Sequence, residues 1–204
     1  MGEAKDKKTL IISFGGLDSV LAGTPPFEFL KTLNTIIPTC DKYFIIDKHQ
    51  LWYHKGINEM AVDIPTTKDF LAKLIAPYEK VLFIGNSAGA YAAILFGSLL
   101  NIDLVLAFVP QTYLYNIKKQ GFDERYLDLN SYINKSTNYV IYGRNSTTIM
   151  EDSLHHISHC ENIEKHDNVA VHSLAFLDLK VWRDNGILKK IILDLLKKTK
   201  EGSN

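Results

Sequence analysis

The sequence has few of the features that mark secreted, membrane-spanning or nucleic-acid-binding proteins. It contains two cysteines, Cys40 and Cys160, which are too few for a disulfide framework. No apolar run approaches the length of a transmembrane helix, so we expect no membrane span. Lysine plus arginine equals aspartate plus glutamate at 23 each, so no basic excess predicts a nucleic-acid partner. We therefore expect a soluble, cytoplasmic protein.

Apolar runs alternate along the chain with segments of helical character. This alternation predicts an α/β fold in which crossover units build a mostly parallel sheet. With 204 residues and 46% hydrophobic content, we expect a single domain over residues 1–204. Residues 113–135 have no clean period and form either a short cap over the site or a surface connection. The six predicted strands are 9–14, 42–47, 81–84, 103–109, 138–144 and 168–174.

A serine flanked by two glycines follows the third apolar run. Gly85, Ser87 and Gly89 have the G-x-S-x-G spacing, between a predicted buried strand and an alanine-rich helix. Strand and helix pass close together in such a turn, so a side chain at either glycine would collide. The turn exposes the Ser87 hydroxyl and aims the amide of Ala88 at any charge that forms beside it. We predict a nucleophile with half an oxyanion hole, the alternative being an ordinary turn serine.

A glycine pair follows the first predicted strand. Glycine lets the backbone turn its N–H groups toward a ligand, so Gly16 or Leu17 is our candidate for the second oxyanion donor. The alternative is a plain turn.

Three ring side chains follow the second predicted strand. Trp52, Tyr53 and His54 offer stacking area and hydrogen-bonding tips in a loop at the carboxyl end of the sheet, where ligands of parallel sheets bind. They bind a sugar or another planar group, or they cover the rim of the core, and the sequence does not decide between the two.

These motifs resemble a small, nearly capless α/β hydrolase over most of the chain. The segments 25–29, 52–56 and 110–112 are similar to hydrolase-like proteins associated with capsule or exopolysaccharide synthesis. The resemblance implies a single-domain three-layer α/β sandwich with a minimal cap, no cofactor, and a serine esterase, deacylase or acyltransferase. It also implies an acyl ester substrate. The similarity to capsule-associated proteins further implies that this ester is linked to a carbohydrate.

The family order of nucleophile, acid and histidine implies the other catalytic residues. Asp152, beyond the fifth strand, fits the acid, with Glu151 as the next candidate. The family's histidine follows the last strand, where this chain has Phe176 or Leu177. His172 is the histidine of that last strand and our predicted base, and the fallback bases are His54, His155 and His156.

The lack of a histidine at the family position leaves a second function open. Without a base the serine hydroxyl is a poor nucleophile, so the alternative is a catalytically impaired protein that binds a glycan or a partner. His155, His156 and His159 also suggest a metal site, but no glutamate stands at the H-E-x-x-H spacing. We therefore predict no metal.

Overall fold

A six-stranded parallel sheet runs through the centre of the molecule. The computed structural model describes residues 6–17, 27–117, 119–145, 154–175 and 177–201. The sheet has the order β2-β1-β3-β4-β5-β6, which confirms the predicted α/β sandwich of about six parallel strands. The strands are β1 (Asp6–Phe14), β2 (Cys40–Ile45), β3 (Lys80–Asn86), β4 (Leu104–Phe108), β5 (Asn138–Arg144) and β6 (Val169–Leu174).

Helices cover the two faces of the sheet and make it the middle layer. The helices are α1 (Leu30–Ile36), α2 (Ile64–Ile75), α3 (Ala88–Leu100), α4 (Glu161–Glu164), α5 (Leu179–Asp184) and α6 (Ile187–Glu201). Because side chains alternate along a strand, each central strand contributes to both layers of the core. Phe83 packs with α2 and α3 on one face, whereas Leu82 packs with α1 and α6 on the other.

Helix α3 is the most deeply buried helix of the fold. All of its residues from Ala88 to Ser98 are buried, and its small alanines and glycines let it lie close to the sheet. Residues of the 113–135 segment pack against it, since the Tyr91 hydroxyl donates to the carbonyl of Tyr126 at 2.5 Å. Within the described ranges, no helix combines the length and apolar character needed to cross a bilayer.

Candidate active site

Ser87 lies in the sharp turn between β3 and α3. Its backbone has φ 52° and ψ −121°, a conformation that non-glycine residues rarely adopt. Strained backbone of this kind persists where the surroundings hold it in place, and it is concentrated at functional sites. The Ser87 N–H donates to the carbonyl of Phe108 at 2.9 Å, which ties the turn to the end of β4.

The two glycines of the turn have the steric role that the sequence predicts. A Cβ at Gly85 would overlap the backbone of Gly89, and a Cβ at Gly89 would overlap the carbonyl of Phe14. Any side chain at either position would therefore push strand and helix apart and move Ser87.

An imidazole stands beside the serine hydroxyl. His155 Nε2 lies 3.0 Å from Ser87 Oγ, within hydrogen-bond distance. The backbone around His155 is held at two points, since His156 bridges Arg144 at the end of β5 and Leu154 accepts a hydrogen bond from Gln111 Nε2 at 2.6 Å. These two contacts hold His155 in its position beside Ser87.

The surroundings of His155 favour its neutral form. The pKa of His155 is lowered from its ordinary value, chiefly because partial burial removes water from the charged imidazolium. The nearby positive charge of Arg144 lowers this pKa further, because it disfavours a second positive charge on His155. A neutral imidazole has a lone pair with which to accept the proton of a serine hydroxyl.

A cavity of about 390 Å³ opens beside Ser87 and His155. Leu17 lines it, whereas the N–H of Gly16 donates to Glu28 Oε2 at 3.0 Å. The other Glu28 oxygen accepts from Asn86 Nδ2 at 2.9 Å. Glu28 thereby joins the turn after β1 to the end of β3. The cavity is lined by Gly16, Leu17, Glu28, Asn86, Ser87, Val109, Arg144 and His155.

Comparison of the sequence with protein-family models and with curated proteins gives no match. Solved structures do match. The capsule O-acetyltransferase of Neisseria meningitidis serogroup A is 15% identical, with a TM-score of 0.66 over 93% of this chain and 88% of that one. The fluorophosphonate-binding serine hydrolase FphF of Staphylococcus aureus is 13% identical, with a TM-score of 0.59 over 95% and 85%. A protein of Xanthomonas campestris described as a hydrolase of the α/β superfamily is 13% identical, with a TM-score of 0.53 over 94% and 99%.

The chain has an α/β-hydrolase-like fold. The resemblance inferred from the sequence is thus supported by structure, and identities this low carry the fold alone.

Within this α/β-hydrolase-like fold, the predicted base His172 lies away from Ser87. It is exposed on β6, and its ring stacks on Tyr142 with 4.7 Å between centroids. Of the two residues predicted to occupy the usual histidine position, Leu177 is 2% exposed and belongs to the core, and Phe176 lies outside the described residues. The geometry corrects the choice of histidine: His155, one of the fallback candidates, is the imidazole at the hydroxyl.

The other described candidate histidines, His54 and His156, have hydrogen-bond partners other than Ser87. Asp152 and Glu151 lie outside the described residues. His156 pairs its Nδ1 with the hydroxyl of Ser158 at 2.9 Å. His54 is buried, with its Nε2 at 3.0 Å from the Tyr91 hydroxyl.

The aromatic turn, Trp52 to His54, is part of the core and does not line the cavity beside Ser87. Trp52 is 4% exposed, Tyr53 0% and His54 3%. Their polar atoms bond internally: Trp52 Nε1 donates to Gln111 Oε1 at 3.0 Å, and the Tyr53 hydroxyl donates to the carbonyl of Gly15 at 2.8 Å. Of the two interpretations that the sequence left open, their burial favours the covered core rim over a substrate-binding surface.

The histidine cluster does not assemble as metal ligands. His155 faces Ser87, whereas the ring of His159 stacks on Tyr113 with 4.9 Å between centroids. Among the residues that the structure describes, no three histidine, cysteine or acidic side chains come together in a metal-binding arrangement.

Three residues of the site were not predicted from the sequence: Glu28, Gln111 and Arg144. Arg144 carried a usable signal, because it follows the fifth apolar run directly and the carboxyl ends of parallel strands face the crevice. Glu28 carried no such signal, since it reaches the site from the approach to α1, far from any strand end.

Proposed function

We propose that this chain is a serine acyl-transfer enzyme, an esterase or acyltransferase that cleaves an acyl ester through Ser87. The observation that carries the proposal is the 3.0 Å contact between Ser87 Oγ and His155 Nε2. A hydroxyl in a strained turn beside a neutral imidazole is the arrangement that activates a serine.

Each residue has a defined step in this reaction. Ser87 Oγ attacks the ester carbonyl carbon while His155 Nε2 takes the hydroxyl proton, and a tetrahedral oxyanion forms. The C–O bond to the leaving alcohol then breaks, and His155 returns the proton to that alcohol. A water molecule or an acceptor hydroxyl, deprotonated by His155, then attacks the acyl-Ser87 ester. The bond between the acyl carbon and Ser87 Oγ breaks, His155 returns the proton to Ser87 Oγ, and the acid or the new ester is released.

The oxyanion donors in this proposal are the backbone N–H groups of Ala88 and Leu17. Ala88 is the first residue of α3, where the helix leaves its amides without intrahelical partners. Leu17 lines the cavity, whereas the amide of Gly16 is engaged by Glu28. Gly16 therefore acts by positioning the turn in which Leu17 lies.

Asp152 remains our candidate for the acid that orients His155. It precedes His155 by three residues in the sequence, so both belong to the connection after β5. A carboxylate at the second imidazole nitrogen fixes the ring and stabilises the imidazolium that forms during attack.

The comparisons support an acyl ester as the substrate and a carbohydrate as its carrier. One similar structure is an O-acetyltransferase of a capsule, and another is a serine hydrolase that binds fluorophosphonates. We propose a carbohydrate-linked ester on this basis. Hydrolysis and transfer differ only in whether water or a sugar hydroxyl attacks the acyl-enzyme.

Labelling of the purified protein with a fluorophosphonate tests the proposal. We expect one covalent adduct on Ser87, acetyl ester turnover in the wild type, and loss of both in Ser87→Ala. Ser136→Ala, which removes an exposed hydroxyl in a connecting turn, is the matched control and retains both. Added sugar acceptors distinguish transfer from hydrolysis by diverting acetate into a sugar ester.

Failure to label Ser87, together with no turnover of any acyl ester, would overturn the proposal. The non-catalytic alternative would then apply, with the fold serving to bind a glycan or a partner. Its motivation was the missing base, and His155 now supplies an imidazole at the nucleophile.

A further inference from the structure

The three arginines of the chain differ in how their charge is balanced. Arg125 pairs with Asp123 at 2.6 Å, and Arg183 pairs with Asp184 at 2.8 Å. Arg144 lines the cavity beside Ser87, and among the described residues no carboxylate forms a salt bridge with it. A cation that lines this cavity and forms no salt bridge within the described residues is suited to a negatively charged ligand.

The backbone holds the Arg144 guanidinium by one edge. Arg144 ends β5, and its Nε donates to the carbonyl of Leu177 at 3.1 Å. This bond uses Nε alone, and no residue in the described part of the chain accepts a hydrogen bond from the two terminal nitrogens. A guanidinium fixed in this way presents planar donors that match the two oxygens of a carboxylate or phosphate.

A second cavity, of about 190 Å³, shares Glu28 with the cavity beside Ser87. Lys180 and Arg183 of α5 line it. Both oxygens of Glu28 accept hydrogen bonds, from the Gly16 N–H and from Asn86 Nδ2, so its negative charge is partly offset by donors. Glu28 therefore lies between the cavity beside Ser87 and the cationic side chains on α5.

We propose that Arg144 binds an anionic group of the substrate, a carboxylate or a phosphate, close to the ester that Ser87 attacks. This inference rests on the proposed function and names the substrate class as an anionic acyl ester. The positive charge of Arg144 disfavours the imidazolium of His155, and an anion bound to Arg144 offsets that effect.

Three acetyl esters of one phenol test the inference, with a carboxylate, a phosphate or an uncharged carboxamide in the para position. The values of kcat/KM are compared between wild type, Arg144→Gln and Arg144→Lys at about pH 8.5, where His155 is neutral. We expect Arg144→Gln to lower kcat/KM for the preferred anionic ester about ten- to a hundredfold, through lost charge-assisted hydrogen bonds, and to spare the neutral ester. Arg144→Lys restores part of the preference, and Arg125→Gln is the matched control without effect.

The carboxylate and phosphate arms show which anion is preferred. An equal loss for all three esters in Arg144→Gln, or no anionic preference in the wild type, would overturn the inference and leave the proposed function standing. Calorimetric binding of the corresponding deacetylated phenols to Ser87→Ala gives a readout that needs no turnover. Tighter binding of the anionic phenols that is lost in Ser87→Ala/Arg144→Gln supports the inference even if no ester is cleaved, and equal binding of all three overturns it.

Discussion

Of two loops at the carboxyl edge of the sheet, one is buried in the core and the other reaches the cavity beside Ser87. The turn after β2 folds inward around the buried carboxylate of Asp47, which accepts hydrogen bonds from the N–H groups of His49, Leu51 and Tyr53. The segment after β5 instead brings His155 to a cavity and to the hydroxyl of Ser87. A loop at the carboxyl edge of the sheet can thus contribute to the cavity. It does so only where its polar side chains are not already bonded within the core.

The two loops are physically connected. Trp52 donates its indole N–H to Gln111 Oε1, and Gln111 Nε2 donates to the carbonyl of Leu154, next to His155. Gln111 is fully buried, so water cannot take the place of either partner if one of these hydrogen bonds is lost. Through Gln111, the aromatic turn therefore helps to hold the backbone next to His155 in place.

The largest expected effect separates the two candidate bases. His155→Asn should lower kcat about 10²- to 10⁴-fold, since a general base contributes about this much, and His172→Asn should leave kcat unchanged. Steady-state kinetics with an acetyl ester, with circular dichroism to check folding, measures both. The reverse result would return the base to β6 and remove the contrast between the loops.

Acid should weaken the aromatic turn through His54. Burial lowers the pKa of His54 from 6.5 to about 4, so the unfolded chain takes up a proton before the folded one. Stability present above about pH 6.5 should fall by about 3 kcal/mol as the pH drops toward 4. His54→Asn should be less stable at neutral pH but lack this contribution, so the stability difference between the two proteins narrows on acidification.

Urea unfolding of both proteins across this pH range measures the difference. A constant gap between wild type and His54→Asn would show that the pKa of His54 is the same in the folded and unfolded chains, which would contradict the prediction.

Gln111→Leu tests the connection between the loops. The carbonyl of Leu154 would lose a hydrogen bond between neutral groups that is worth about 1 kcal/mol. Because His155 would then be displaced from Ser87, kcat should decrease about tenfold. Trp52→Phe removes one donor from the same chain of bonds, so a smaller decrease is expected. KM should change little in either variant, and an unchanged kcat in Gln111→Leu would show that His155 is held without Gln111.

The smallest effect on catalysis is expected from Tyr53. Tyr53→Phe removes hydrogen bonds to the carbonyls of Gly15 and Ile45, which should lower the free energy of unfolding by about 1–2 kcal/mol. We expect kcat/KM to stay within about twofold, because the ring lies in the core. Denaturant unfolding and kinetics on one preparation decide the matter, and lost affinity at unchanged stability would return Tyr53 to a substrate-binding role.

The sheet could be predicted because continuous apolar runs suit strands that are buried on both faces. The run 81–84 lies within β3, and the run 138–144 coincides with β5. The nucleophile turn was predictable for a local reason, since Gly85 and Gly89 are required by contacts within a few residues or with the adjacent strand.

Which imidazole lies beside Ser87 could not be predicted, because it depends on the path of the chain after β5. That path is set by contacts between distant residues, such as the hydrogen bond from Gln111 to Leu154, and no periodicity encodes them. Gly143 also permits the close approach of Ile157, whose side chain would overlap a Cβ there. The aromatic turn was ambiguous for a related reason, because its composition does not reveal that Asp47 draws its backbone inward.

The delivery of His155 from the segment after β5 has a consequence for how the chain can vary. In the proposed mechanism the nucleophile Ser87 and the base His155 both precede β6 in the chain, so the last strand and the helices α5 and α6 have no part in moving protons. Under that mechanism substitutions on α5 alter the cavity lined by Lys180 and leave the reacting groups in place, so the two regions can diverge independently in this polypeptide.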